Sequence, residues 1–258
     1  FYGTEILSEY PEIDNSKIIF NENGLPITYS HYGVSINSKE SALDISKNDL
    51  TGLIISDQIF ADLSFDNKNF SGTVFNDVIF DNMNIRNTEF HGTVFNNVTI
   101  KNSIIMNSDF SGSGANKLKI INSDVNNSKF QWIRVSGLSF TESSLSNNDF
   151  TNAKISGTIF NAVDLSSSKF DNTSLQDSKF NDSYLNDLKI ENSDVQRVKF
   201  TNSDAAGLEI NNSLVQKISF DETSILSDNV NFQISMATTL EPVTSYIDYI
   251  DRFLKNQI

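Results

Sequence analysis

Along this chain every fifth residue is apolar. From Ile45 through Leu50, Ile55, Phe60 and Phe65 to Phe220, Ile225 and Val230, the positions divisible by five number 38, and none is polar. No insertion or deletion shifts the phase, and the smallest occupants are Ala115 and Ala205. A helix repeats at about 3.6 residues and a strand at 2, so neither produces this pattern. A short period held this long predicts one structural unit stacked on its own copies. Two residues before each apolar centre, Ser, Thr or Ala fills 19 of the 38 slots, as at Thr73, Ser108, Ser128 and Ser178. Two residues after it, Asn, Asp and Gly dominate, as at Gly72, Asn87, Asn122 and Asp182; these types tolerate a tight turn. Each unit therefore reads as a small inward residue, an outward residue, a large inward residue and a corner.

The centres themselves alternate. Phe fills 13 of the 17 centres at multiples of ten from Phe60 to Phe220, but only Phe65, Phe75 and Phe95 among the 17 from Phe65 to Ile225. A period of twenty shows in the small position, which is large at Val78, Val98, Leu118, Leu138, Val198 and Ile218. Four units per coil follow, with aromatics on two opposite walls and aliphatics on the other two, an arrangement that fills a square interior without voids. The 38 units make about nine and a half coils, and a rod about 45 Å long at about 4.8 Å per coil.

Ser128-Lys129-Phe130, Thr158-Ile159-Phe160 and Ser168-Lys169-Phe170 give the chain its resemblance to the pentapeptide-repeat family, whose loose unit is a small residue, any residue, then Leu or Phe. The resemblance implies an all-β fold, a right-handed quadrilateral parallel β-helix or solenoid of four pentapeptides per coil. The chain departs from the family in using Ser or Thr where Ala is frequent. Its best literal match, Ala61-Asp62-Leu63, lies out of phase and is taken as a decoy.

Three regions are expected: 1–42 as an N-terminal cap, 43–232 as the repeat, and 233–258 as a linker and short α-helix. The cap contains Ile18-Ile19-Phe20, an Asn-Gly pair at Asn23-Gly24, and Leu25 to Tyr29, the signature of a β-hairpin. Outward positions that turn apolar early, Ile54, Val74, Val94, Ile59 and Ile79, are expected to lie beneath it. Inward Asn48, Gln58 and Lys68 suit a sealed interior poorly, so the first coils are expected to be imperfect. At the other end Tyr246, Ile247, Ile250, Phe253 and Leu254 form one helical stripe. This helix plugs the last coil, pairs two copies into a homodimer as the family resemblance allows, or precedes a further domain. Phe1 in place of Met marks a processed chain or an excised fragment.

Composition narrows the chemistry. There is no Cys, so disulfides, thiolate metal sites and Cys nucleophiles are excluded, and only His31 and His91 offer imidazoles, sixty residues apart. No zincin, phosphate-loop or nucleophile-elbow motif occurs. No apolar run reaches the roughly 18 residues of a membrane span. The expectation is a non-enzyme with no cofactor and no metal, with a protein for partner. With 19 Lys and Arg against 33 Asp and Glu the formal charge is −14, which disfavours direct contact with nucleic acid.

Residues twenty apart stack, so the surface can be read in columns. Asp124, Asp164 and Asp204 form an acidic wall, Lys119, Lys179 and Lys199 a basic one, and Asn76, Asn96 and Asn116 with Gln176, Gln196 and Gln216 are in register for amide ladders. The single tryptophan, Trp132, stands at a corner one coil after Gly112, over which it could lie flat. Trp132, Arg134, Tyr184, Arg197 and Leu214 are the bulky outward residues of the types that dominate interfaces, and are the candidate partner-binding set. Two functions compete. One is a non-catalytic binding or scaffold rod, bacterial, and on the resemblance a repeat domain of a translocated effector, acting in the bacterial cytoplasm or a host cell. The other, implied by the quinolone-resistance branch of the family, is a DNA mimic binding gyrase or topoisomerase IV. Residues 43 to 232 carry 24 acidic and 15 basic side chains, a net −9. Over about 45 Å that is one net charge per roughly 5 Å, against one per about 1.7 Å for duplex DNA, which favours the first.

Overall fold

A computed structural model of the chain describes residues 30–31 and 47–223. The expected hairpin, the remainder of the cap and the C-terminal helix lie outside the described residues.

The described chain is a parallel solenoid of square section. Every strand pairing between coils joins residue i to residue i+20, as in Phe75 with Phe95, Val125 with Ile105, and Phe180 with Phe200. From Leu50 to Phe220 the chain advances 170 positions, which at twenty per coil is 8.5 coils. Its four walls are named here by their centres. Wall one carries Phe60, Phe80 and their successors, wall two Phe65 and Ile85, wall three Phe70 and Phe90, wall four Ile55, Phe75 and Phe95. The exception to parallel pairing is at the start, where Ser30–His31 runs antiparallel to Leu53–Ile54 and covers the leading edge of wall four. An uncovered edge would invite pairing with another chain.

The corners explain the sequence bias at every fifth position. Each residue two after a centre, from Gly52 to Glu222, has φ between 46° and 72°. This left-handed region suits Gly, Asn and Asp and penalises other side chains. Trp132 at φ 60° and Arg197 at φ 56° are the bulkiest residues held there.

The core is two aromatic columns on opposite walls. On wall three Phe90, Phe110, Phe130, Phe150 and Phe170 stack with centroids 4.6 to 4.9 Å apart and planes within 12° of parallel. On wall one Phe160, Phe180, Phe200 and Phe220 do the same at 4.6 to 4.9 Å. The coil spacing imposes this distance, because identical rotamers on strands about 4.8 Å apart can only stack. Burying each ring contributes about 2 to 3 kcal/mol.

The preference for Ser and Thr over Ala has a physical cause. At many corners the backbone N–H two residues before a centre has no acceptor within its own turn, and the hydroxyl one coil later accepts it. Met83 N–H donates to Ser103 Oγ, Ser103 N–H to Ser123 Oγ and Ser123 N–H to Ser143 Oγ, at 3.0 to 3.2 Å. A second series runs from Thr88 through Ser108 and Ser128 to Asn148 Oδ1. From Thr73 to Ala153 the corner between walls three and four closes on itself instead, as in Ala153 N–H to Phe150 C=O at 3.1 Å, the bond of a type II turn with positive φ at its third residue; in the later coils of the same corner Thr173 N–H and Ser193 N–H return to the hydroxyl one coil on. Alanine is acceptable at position 153 because the Ile133 N–H one coil earlier is satisfied within its own turn by the Phe130 carbonyl.

The first described coils keep the twenty-residue register and accommodate their polar inward residues through hydrogen bonds to nearby polar groups. Lys68 Nζ donates back to the preceding coil, to the Lys47 carbonyl at 2.7 Å and Asn48 Oδ1 at 3.2 Å. Gln58 turns its amide back to the Ser56 carbonyl at 3.0 Å.

Candidate functional site

The twenty-residue register converts the surface into columns whose neighbours are known. On wall four Arg134, Lys154, Ser174, Asp194 and Leu214 form one straight outward column, each bridged to the next. The corner just before it carries Trp132, Asn152, Asn172, Asn192 and Asn212. Between these two columns runs a groove of about 550 Å³, floored by Ala153, Thr173 and Ser193, with Trp132 and Arg134 at one end and Leu214 at the other.

Trp132 is 57% exposed at the head of this groove. It does not cover Gly112: the position of a Gly112 Cβ has His91 Cε1 at 3.7 Å and no atom of Trp132 within 4 Å. The indole lies with the later coils. Its side chain occupies a backbone conformation that costs a bulky residue about 1 to 2 kcal/mol relative to glycine.

The five bulky residues singled out from sequence separate into three places. Trp132, Arg134 and Leu214 line the groove. Arg197 lies at the next corner and is engaged: its Nε and Nη2 donate to Asp177 Oδ1 and Oδ2 at 2.7 and 2.8 Å. Tyr184 stands on wall two, between Asp164 and Asp204 in the acidic column. The residues missed were Lys154, which stacks beside Arg134, and the asparagine corner. Both were readable once position 132 was advanced by twenties.

Electrostatics differ between the walls. Cations and carboxylates neutralise one another along wall three, with Lys129 to Asp109 at 3.6 Å and Lys189 to Glu209 at 4.0 Å. Burial raises the carboxyl pKa of Asp109, but Ser111 hydrogen bonds and the Lys129 charge outweigh it and hold the group below its ordinary value. The acidic column is otherwise made: Asp164 Oδ1 accepts the Ser166 N–H at 2.9 Å and Asp204 Oδ1 the Ala206 N–H at 3.3 Å. Its carboxylates are two coils apart, about 10 Å. The amide ladder exists as Asn96 to Asn76 at 2.9 Å and Asn76 to Ser56 at 3.2 Å. The glutamines do not continue it, since Gln176 and Gln196 both donate to Asp194.

Among the described residues no three His, Asp or Glu side chains gather in a metal-binding cluster, and no helix is long and apolar enough to cross a membrane.

The fold and its surface define a class, a square parallel β-solenoid whose distinctive features are outward columns. The model of the family described as pentapeptide repeats (8 copies) matches residues 126–161, and the same five-residue register of corner φ values continues on both sides of them through the described residues. Three solved structures are similar. HetL of the cyanobacterium Nostoc sp. strain PCC 7120, a pentapeptide repeat protein involved in heterocyst differentiation regulation, shares 9% identity at a TM-score of 0.38, covering 69% of this chain and 92% of its own. Full-length QnrB1, a plasmid-mediated fluoroquinolone resistance protein, shares 11% at 0.41, covering 67% and 94%. Rfr23 of the cyanobacterium Cyanothece 51142, a pentapeptide repeat protein, shares 14% at 0.29, covering 53% and 90%. No curated protein matches the chain.

Proposed function

We propose that this chain is a non-catalytic protein-binding rod whose contact face is the groove headed by Trp132. The observation that carries this reading is the exposed indole held at φ 60°. A bulky residue in a strained backbone conformation, beside a concave surface, is the kind of outlier that points to function. Trp and Arg are also the residue types that concentrate binding energy at interfaces. The competing reading, a DNA mimic directed at gyrase or topoisomerase IV, would use Asp124, Asp164 and Asp204. Carboxylates about 10 Å apart reproduce little of a phosphate backbone with one charge per about 1.7 Å.

Affinity capture tests the choice. The chain is used as bait in bacterial and eukaryotic lysates beside Trp132→Ala and an Asp124, Asp164, Asp204 triple Asn variant. The proposal expects a partner lost with Trp132→Ala and retained by the triple variant; a eukaryotic partner would fit a translocated effector. Recovery of gyrase or topoisomerase IV, lost with the triple variant, would replace it.

A further inference from the structure

Resting on the reading of the Trp132 face as the contact surface, we propose that the groove takes an extended acidic peptide segment of the partner, laid parallel to the rod axis. Length sets its extent. From the Trp132 coil to the Leu214 coil are four coil spacings, about 19 Å, which an extended peptide spans in about six residues. Charge sets its chemistry and direction. Arg134 and Lys154 stack in register on one side of the groove, and among the described residues neither forms an ion pair, unlike Lys101, Lys129, Lys169, Lys189 and Arg197. Two adjacent cations without a counter-charge repel each other and favour a carboxylate between them. Asp194, at the far end, accepts from two glutamine amides but keeps its negative charge, so the carboxylates of the segment are placed at the Arg134 and Lys154 end and away from it. The indole and Leu214 offer apolar contacts at the two ends, which suit side chains of a peptide on either side of its carboxylates.

Trp132 is the sole tryptophan, so its fluorescence reports the groove without labelling. A random heptapeptide display library is selected on the full chain, with an Arg134→Glu, Lys154→Glu double variant and Trp132→Ala screened in parallel. Enriched peptides are then synthesised without Trp and titrated while Trp132 emission is followed. The expected result is enrichment of Asp and Glu, a saturable emission change, and at least a tenfold loss of affinity in the double variant. The double variant's melting temperature checks that it is folded; both substituted positions point outward. Peptides without acidic enrichment, peptides retained equally by the double variant, or an emission change produced by neutral oligosaccharides alone would overturn the proposal. If capture from lysate still depends on Trp132 in any of those cases, the binding face stands and the ligand class fails; if capture is independent of Trp132, the face itself fails.

Discussion

Arg197 holds Asp177 one coil earlier through two parallel hydrogen bonds, 2.7 and 2.8 Å, across the corner between walls four and one. The pair accounts for a bulky residue at φ 56°: the guanidinium is committed to its own rod. Arg197→Ala is therefore expected to leave partner capture unchanged, within twofold by surface plasmon resonance, whereas Arg134→Ala reduces it. The reverse ranking would return Arg197 to the interface.

Acid should weaken the rod. Asp177 is held low by its hydrogen bonds from Arg197; Asp81 by Asn102 and Lys101; and Asp171 by Asn192 and Lys169. Burial raises Asp149, but hydrogen bonds from Thr151 and Gln131 outweigh it and leave its pKa lowered. A carboxyl whose folded pKa is depressed contributes stability above its unfolded value, about 4, and loses it as pH falls through the folded value. The melting temperature is expected to be level from pH 8 to about pH 5 and to fall below about pH 4. An Asp149→Asn, Asp171→Asn double variant should show a smaller fall between pH 4 and pH 2.

The hydroxyl columns predict an asymmetry between two serines of similar burial. Ser123→Ala removes the acceptor of the Ser103 N–H and leaves that buried group unpaired, at about 1 to 3 kcal/mol. Ser178 N–H is satisfied within its own turn by the Leu175 carbonyl, and its hydroxyl makes only a long bond to the Ile155 carbonyl at 3.3 Å. Ser178→Ala is expected to stay within about 0.5 kcal/mol of the parent, as for substitutions that disturb none of these features. Urea denaturation compares the two, and equal costs would refute the ladder.

Two corner glycines should likewise differ. A Cβ at Gly207 would run into Asp187 Oδ1, while one at Gly157 meets nothing within 4 Å; both have positive φ, 71° and 72°. Gly157→Ala should cost about 1 to 2 kcal/mol from the backbone alone, and Gly207→Ala more, because Asp187 must also move.

How much of this was legible in the sequence depended on the register. The apolar phase and the alternation of Phe led directly to stacked columns on opposite walls, because Phe110 and Phe130 are twenty residues apart and coils are too. Grouping surface residues by type was less informative than grouping them by column. Tyr184 and Arg197 resemble Trp132 chemically, yet their positions modulo twenty put them on another wall and another corner. The groove was hidden for a different reason. It lies between a corner row and a wall row, and a five-residue pattern read along the chain does not compare rows on neighbouring coils. The glutamine ladder failed to form because Asp194, in the same column set, is a stronger acceptor than a neighbouring amide.

The most direct measurement is made on Trp132→Gly, by melting temperature and partner capture together. Glycine relieves the positive φ, so the account predicts a rod stabilised by about 1 to 2 kcal/mol that has lost its partner, a strained residue kept for binding. A variant that captures its partner as well as the parent chain would contradict it, and would make the indole a tolerated side chain at an ordinary corner.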